Sequence, residues 1–177
     1  FRRVLFRSDA AAATADTEIT FVVVPTPSTP SGGFTSHLVI RAIEDAGPGL
    51  RQKDGYHVFV VTSTVMPGSI EREITPALEA ASGRTVGQNV DLCYNPEFIA
   101  LGSVLHDMTH PDLVLIGESD SRAGDVVETV HRTFVAEAAQ VRRMSWVNAE
   151  IAKIAINTFV TTKISYANML AEICERT

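Results

Sequence analysis

Cysteine is nearly absent: Cys93 and Cys174 are the two present in 177 residues. They lie far apart in chemically unlike surroundings, so a disulfide framework is excluded and a reducing cytoplasm is the expected compartment. No apolar run reaches the ~20 residues that a transmembrane helix requires. Charge of a single dominant sign is lacking too. The formal net charge is −6, with acids and bases interspersed, which argues against nucleic acid or an anionic membrane as the main partner. A small anionic ligand held by a few groups stays compatible with that balance. Internal repeats and long linkers are absent. So is an initiator Met: the opening F-R-R-V-L-F-R-S carries three Arg and no clear periodicity. The far end stops at Glu175-Arg176-Thr177 with no Gly stop signal. The expectation is a piece of a longer protein, with residues 1–17 an assembly scar plus the remnant of an upstream helix.

What is present is a chain that can build a core, 45% hydrophobic and 20% charged. Residues 18–24 (E-I-T-F-V-V-V) and 56–62 (Y-H-V-F-V-V-T) are short, Val-rich and bounded by turn residues. Such runs are expected as strands buried on both faces of a parallel sheet. Further strands are expected at 90–94, at 113–116 closed by Gly117, and at 140–144. Helical spacing predicts helices over 35–46, ended by Gly47-Pro48-Gly49, over 70–82 with Ser69 as cap, and over 121–136. Residues 102–112 show no clear element. Alternating strands and helices imply an α/β fold with a mostly parallel sheet and flanking helices.

Trp146 to Cys174 contains no Gly or Pro and is apolar on most sides, so it is expected as a long helix buried nearly all round. Glu150, Lys153, Asn157, Thr161 and Asn168 nevertheless recur along roughly one stripe. Buried unpaired, such groups cost several kcal/mol each, on the order of 2–7. They need partners from earlier in the chain or from a ligand. The outer ends of parallel strands supply them, because that edge is where open α/β sheets bind ligands. The first strand runs into Pro25-Thr26-Pro27, the second into Ser63-Thr64, the third into Asn95-Pro96-Glu97. A carboxylate, an ammonium, an amide and two hydroxyls on one cleft make an acid/base or oxyanion set. The blander alternatives are turn-capping threonines, a helix-start carboxylate at Glu97 and an ordinary Glu150–Lys153 ion pair. His106 and His110 have metal-like spacing but lack a third ligand, so no metal is expected. Arg142 and Arg143 are expected at a solvated strand end.

Four motifs occur in order: Val24-Pro25-Thr26-Pro27, Ser63-Thr64-Val65-Met66-Pro67-Gly68, Asn95-Pro96-Glu97-Phe98 and Ala149-Glu150-x-x-Lys153-x-x-x-Asn157. Together they resemble the UDP-glucose/GDP-mannose dehydrogenase family over about residues 18–175. The resemblance implies a partial Rossmann-like domain over 18–145 and the start of a central helical domain over 146–177. It implies NAD-dependent oxidation of a nucleotide sugar, UDP-glucose or a UDP-N-acetylhexosamine, from C6 alcohol to uronic acid. An enzyme Cys traps the aldehyde stage, and the resulting thioester is hydrolysed. By the same resemblance Thr64, Glu97, Lys153 and Asn157 are catalytic, and Pro25, Thr26, Ser63 and Thr64 line the NAD cleft. Glu97, Phe98, Ile99, Ala100, Lys153 and Asn157 contact the sugar nucleotide. A homodimer through the central helix is implied as well.

Three departures accompany the resemblance. Leu101 stands where many members carry a second Glu. No G-x-G-x-x-G loop occurs in the chain, and neither Cys fits the catalytic role. The chain alone is therefore expected to be inactive. Two alternatives are a two-electron β-hydroxyacid dehydrogenase of the same fold and a non-catalytic nucleotide-binding domain.

Overall fold

The computed structural model describes residues 7–99, 102–136 and 139–176. Five strands form one sheet in the order β1 (Ile19–Val22), β2 (His57–Val61), β3 (Val90–Tyr94), β4 (Leu113–Glu118) and β5 (Gln140–Ser145). β1, β2 and β3 run parallel, with Val22 beside Val61 and Val61 beside Tyr94. Their carboxyl ends therefore finish level, on one rim. β4 turns against β3, pairing through Cys93–Glu118 and Tyr94–Gly117, and β5 runs parallel to β4. The sheet is thus mostly parallel, with one antiparallel join. Every residue of β2 and β3 is buried, the polar His57 and Asp91 included, as in a strand covered on both faces.

One face of the sheet carries α2 (His37–Ala46), α3 (Thr75–Ser82) and the start of α6 (Trp146–Arg176). Val39, Ile43, Leu78 and Ala149 meet Phe59, Val61, Leu92 and Leu115 in that layer. The other face carries α5 (Ser121–His131), whose Ala123 and Val127 pack on Val58, Val60 and Ile116.

Several elements differ from the sequence-based expectation, each for a local reason. Ala10–Ala15, in the stretch expected as the remnant of a helix, forms a short capped helix of its own, α1, with the Asp9 carboxylate accepting the Ala12 N–H at 2.9 Å. It lies against a 3-10 segment, Gly47–Gln52, that continues α2 where a stop was expected. A Cβ at Gly49 would sit 2.1 Å from the Ala11 carbonyl oxygen, so close approach, not a turn, sets that glycine. Residues 104–109, expected to be irregular, form a short helix, α4, with Ser103 donating to Asp107 at 2.7 Å across its first turn. β4 passes through Gly117 instead of closing there. A Cβ at Gly117 would lie 2.8 Å from Ala149 Cβ, so this glycine admits α6 onto the sheet. α5 ends at His131, five residues short of the expectation, where the Thr133 hydroxyl takes the Val130 carbonyl at 2.6 Å.

The largest correction concerns α6. It runs 31 residues but buries only Ala149, Glu150 and Lys153. Beyond its second turn Phe159, Ile164, Tyr166 and Ile173 are exposed, because the sheet no longer lies beneath the helix. Among the described residues, no helix is long and apolar enough to cross a membrane.

Candidate active site at the strand rim

The rim is built where three parallel strands end together. Thr62 N–H donates to Val22 O at 3.0 Å and Asn95 N–H to Val61 O at 2.9 Å, so the exits are laced in register. Ser63 completes the lacing. Its hydroxyl donates to Val24 O at 2.6 Å and accepts the Val24 N–H at 2.9 Å. The Ser63 side chain is consumed as a brace, leaving backbone and shape as what it presents to a cleft. Thr26 and Thr64 stand half-buried on this rim. Among the described residues neither hydroxyl engages a partner.

Asn95 fixes the third exit. Its amide nitrogen donates to Leu115 O at 2.9 Å, which turns Oδ1 toward His131 Nε2 at 2.7 Å. His131 must then donate from Nε2, leaving its buried Nδ1 as an unpartnered lone pair. Burial lowers the His131 pKa, in keeping with the neutral ring. The pair holds α5 against the turn that carries Glu97. Sequence patterning did not single it out, since His131 falls on an amphipathic helix and Asn95 reads as a turn residue.

Glu97 follows, and the described residues behind it, Phe98 and Ile99, are not helical, so it does not serve as a helix-start carboxylate. Its side chain is exposed and its carbonyl points inward. Lys153 Nζ donates to that carbonyl at 2.5 Å and lies 4.4 Å from the centre of the Phe98 ring. Lys153 is only 7% exposed. Burial pulls its pKa below the ordinary lysine value, and the nearby Glu97 charge opposes the shift. A cleft of about 320 Å³ opens beside this turn, lined by Phe21, Val23, Thr62, Glu97, Phe98 and Ile99 among others. Ala100 and Leu101 lie outside the described residues.

Glu150 is fully buried. It makes no ion pair with Lys153. Its two oxygens accept the Gly68 N–H at 2.6 Å and the Ile70 N–H at 2.8 Å. Burial raises its pKa, and the two N–H donors hold the rise back. Those N–H groups open a helical run, a π turn at Ile70–Ile74 followed by α3. Ser69, the expected cap, makes no side-chain cap bond there. Asn157, one turn beyond Lys153, is exposed and lines a shallow groove with Phe34, Thr158 and Thr161. Asn168 is exposed further along. The expected stripe is therefore split: Glu150 and Lys153 enter the fold, and the other three face outward.

Trp146 seats the start of α6, donating from its indole N–H to Leu92 O at 2.9 Å. Arg143 is not at a solvated strand end. It binds Glu118 at 2.9 Å, Asp125 at 2.5 Å and Ser121 O at 2.6 Å, tying β4, β5 and α5 together. The His106 and His110 rings stack at 4.8 Å. Among the described residues no group of three or more His, Cys, Asp or Glu could hold a metal.

Residues 2–135 match the model of the UDP-glucose/GDP-mannose dehydrogenase family, NAD binding domain, and residues 147–177 match the central domain of the same family. A UDP-glucose 6-dehydrogenase of Haloferax volcanii is 36% identical over 162 residues, covering 90% of this chain and 38% of the relative. Among solved structures, a ternary complex of GDP-mannose dehydrogenase from Pseudomonas aeruginosa matches with a TM-score of 0.86 and 30% identity, over 92% of this chain and 36% of that one. A UDP-glucose dehydrogenase from Pyrobaculum islandicum matches with a TM-score of 0.84 and 36% identity, over 93% and 37%. The chain thus spans about 38% of the length of the curated relatives it matches.

Proposed function

The chain belongs to the UDP-glucose/GDP-mannose dehydrogenase family, and from that premise we propose that it supplies the rim and polar helix face of an NAD-dependent nucleotide-sugar 6-dehydrogenase. Residues 18–145 form the later part of the NAD-binding domain, and 146–177 begin the central domain. The observation that carries the reading is Lys153: a buried ammonium delivered by one helix to the rim where three parallel strands end. A fixed cation in a site shielded from water stabilises a developing alkoxide far better than one in solvent.

The roles divide by position. Pro25, Thr26, Ser63 and Thr64 shape the cofactor side of the rim. The fit to a dinucleotide rests on that rim's chemistry: two unengaged hydroxyls and a proline turn with no N–H, at the sheet edge where such ligands dock. NAD⁺, when bound, supplies the hydride acceptor. Lys153 and Asn157 hold the C6 oxygen and stabilise its negative charge. Glu97, exposed at the cleft, takes a proton from water when the acyl stage is hydrolysed, with Thr64 beside it. Main-chain groups at Phe98, Ile99 and Ala100 grip the sugar nucleotide. The acyl-carrying thiol is not among these residues. Cys93 is buried in β3, with its thiol pKa pushed up chiefly by burial, and Cys174 lies far along α6. The 177-residue chain therefore does not turn over by itself. The enzyme works in the cytoplasm and pairs with a second copy through the exposed apolar length of α6.

The test is to supply NAD⁺ with UDP-glucose, a UDP-N-acetylhexosamine or GDP-mannose, in turn, to the dehydrogenase that carries this segment and to the 177-residue chain. NADH is expected from the former with a UDP sugar, and none from the latter. Sustained turnover by the short chain, or oxidation of no nucleotide sugar by the long one, would overturn the proposal.

A further inference from the structure

We propose that Glu150 is the positioning residue that sets Lys153 at the rim. It does so by acting as the cap of a helix that begins eighty residues earlier in the chain. The proposal rests on the placement of Lys153 beside the reacting oxygen.

The first N–H groups of a helix have no partner within it, and a side-chain acceptor normally satisfies one of them. In the run that starts at Ile70 the local candidate, Ser69, makes no such bond. Glu150 fills the role from α6, with one oxygen on Gly68 N–H at 2.6 Å and the other on Ile70 N–H at 2.8 Å. Both oxygens are spent, and the residue is fully buried. The carboxylate thus ties the loop that carries Thr64, through Gly68, to the second turn of α6. Lys153 sits three residues on, so it leaves the helix almost directly above Glu150. Its Nζ reaches the Glu97 carbonyl at 2.5 Å. Two adjacent side chains of one helix therefore bind two different strand exits, Glu150 the exit of β2 and Lys153 that of β3. Trp146 and Gly117 seat the helix start below them. With the Glu150 bonds in place, α6 cannot slide or rotate without losing two charge-assisted hydrogen bonds. Without them, among the described residues the ammonium has one carbonyl and a ring to hold it.

The substitutions that test this are Glu150→Gln and Glu150→Asp, made in the dehydrogenase that carries the segment. Gln offers one acceptor oxygen and turns an NH₂ toward the second N–H, so it fills the space but breaks the tie. Asp keeps both oxygens one methylene short. Two readouts are needed: the titration of Lys153, followed by NMR of isotope-labelled lysine, and the separation of kcat from KM. The Gln variant is expected to shift the Lys153 titration upward, toward ordinary lysine, and to lower kcat at least tenfold with KM for NAD⁺ within twofold. The Asp variant should fall between Gln and wild type. A folded Gln variant with Lys153 titration and kcat both unchanged within twofold would overturn the proposal. If Gln does not fold, the wild type decides: the amide signals of Gly68 and Ile70 must follow the protonation of Glu150, and independence from it is equally fatal. Full activity in Lys153→Ala would sink the active-site reading instead, and is distinguishable from either result.

Discussion

The two ends of α6 have similar sequences and opposite fates. Both are largely apolar, and both lack Gly and Pro. In the first two turns Ala149, Glu150 and Lys153 are buried, and the two charged groups have named partners. Farther on, Phe159 is 65% exposed and Ile164 57%. Hydrophobicity alone therefore does not say which part of a helix is covered. What fixes the bound end is a small set of specific contacts: a glycine in the facing strand, an indole on a carbonyl, and a carboxylate on two N–H groups. The far end presents apolar surface instead, with Phe159, Ile164 and Tyr166 exposed.

The sharpest break in that comparison is Glu150→Ala. It strands two buried N–H groups at the start of the helical run, and the expected loss of folding stability is on the order of 3 kcal/mol. Urea denaturation of the 177-residue chain measures it. Next is Gly117→Ala, which forces a methyl to 2.8 Å from Ala149 Cβ. Overpacking of that kind costs about 1–3 kcal/mol, and the start of α6 should exchange its amides faster as it lifts from the sheet.

A pH scan sharpens the contrast. His57 is fully buried at the start of β2, with Nε2 on the Thr20 hydroxyl at 2.9 Å. Burial first, and then the Lys53 charge, lower its pKa to about 4. The unfolded chain, with an ordinary His near 6.5, binds that proton more readily. Stability attributable to His57 is therefore intact above pH ~6.5 and is lost as pH falls toward 4, by about 1 kcal/mol per unit. Amides in the bound end of α6, which open with the fold, should lose protection over that window. Those of the far end should not follow.

The smallest expected effect is Ile164→Ser. Ile164 contacts no core, so unfolding of the isolated monomer should shift by less than about 0.5 kcal/mol. The same change should weaken self-association, as read by sedimentation, if the far end is the surface on which a second copy lies.

Much of the fold was legible because buried strands leave a strong signal. Val58 to Val61 is apolar and buried on both faces, its end marked by Ser63. The run ending at Pro25 also forms a strand, but it is not buried on both faces as expected, since Phe21 and Val23 are exposed and line the cleft. The motifs at those ends carried the family. The antiparallel join of β4 was not legible, since Leu113 to Ile116 looks the same in either direction. Gly117 was misjudged as a stop because a glycine that admits a neighbouring helix looks the same in sequence as one that ends a strand. The Glu150 cap was hidden by distance in sequence, since helix-cap signals are sought next to the helix and Ser69 was the local candidate. The exposure of the rest of α6 was invisible for a related reason. An apolar helix face has the same sequence whether its partner lies in the same domain or elsewhere.

The measurement that bears most directly on the account is the turnover of Lys153→Ala in the dehydrogenase that carries this segment, with NAD⁺ and its preferred nucleotide sugar. Losing a fixed oxyanion partner should lower kcat by about 10²–10³-fold, with folding stability little changed. A kcat within twofold of wild type would contradict the assignment of this rim and helix as the reacting site.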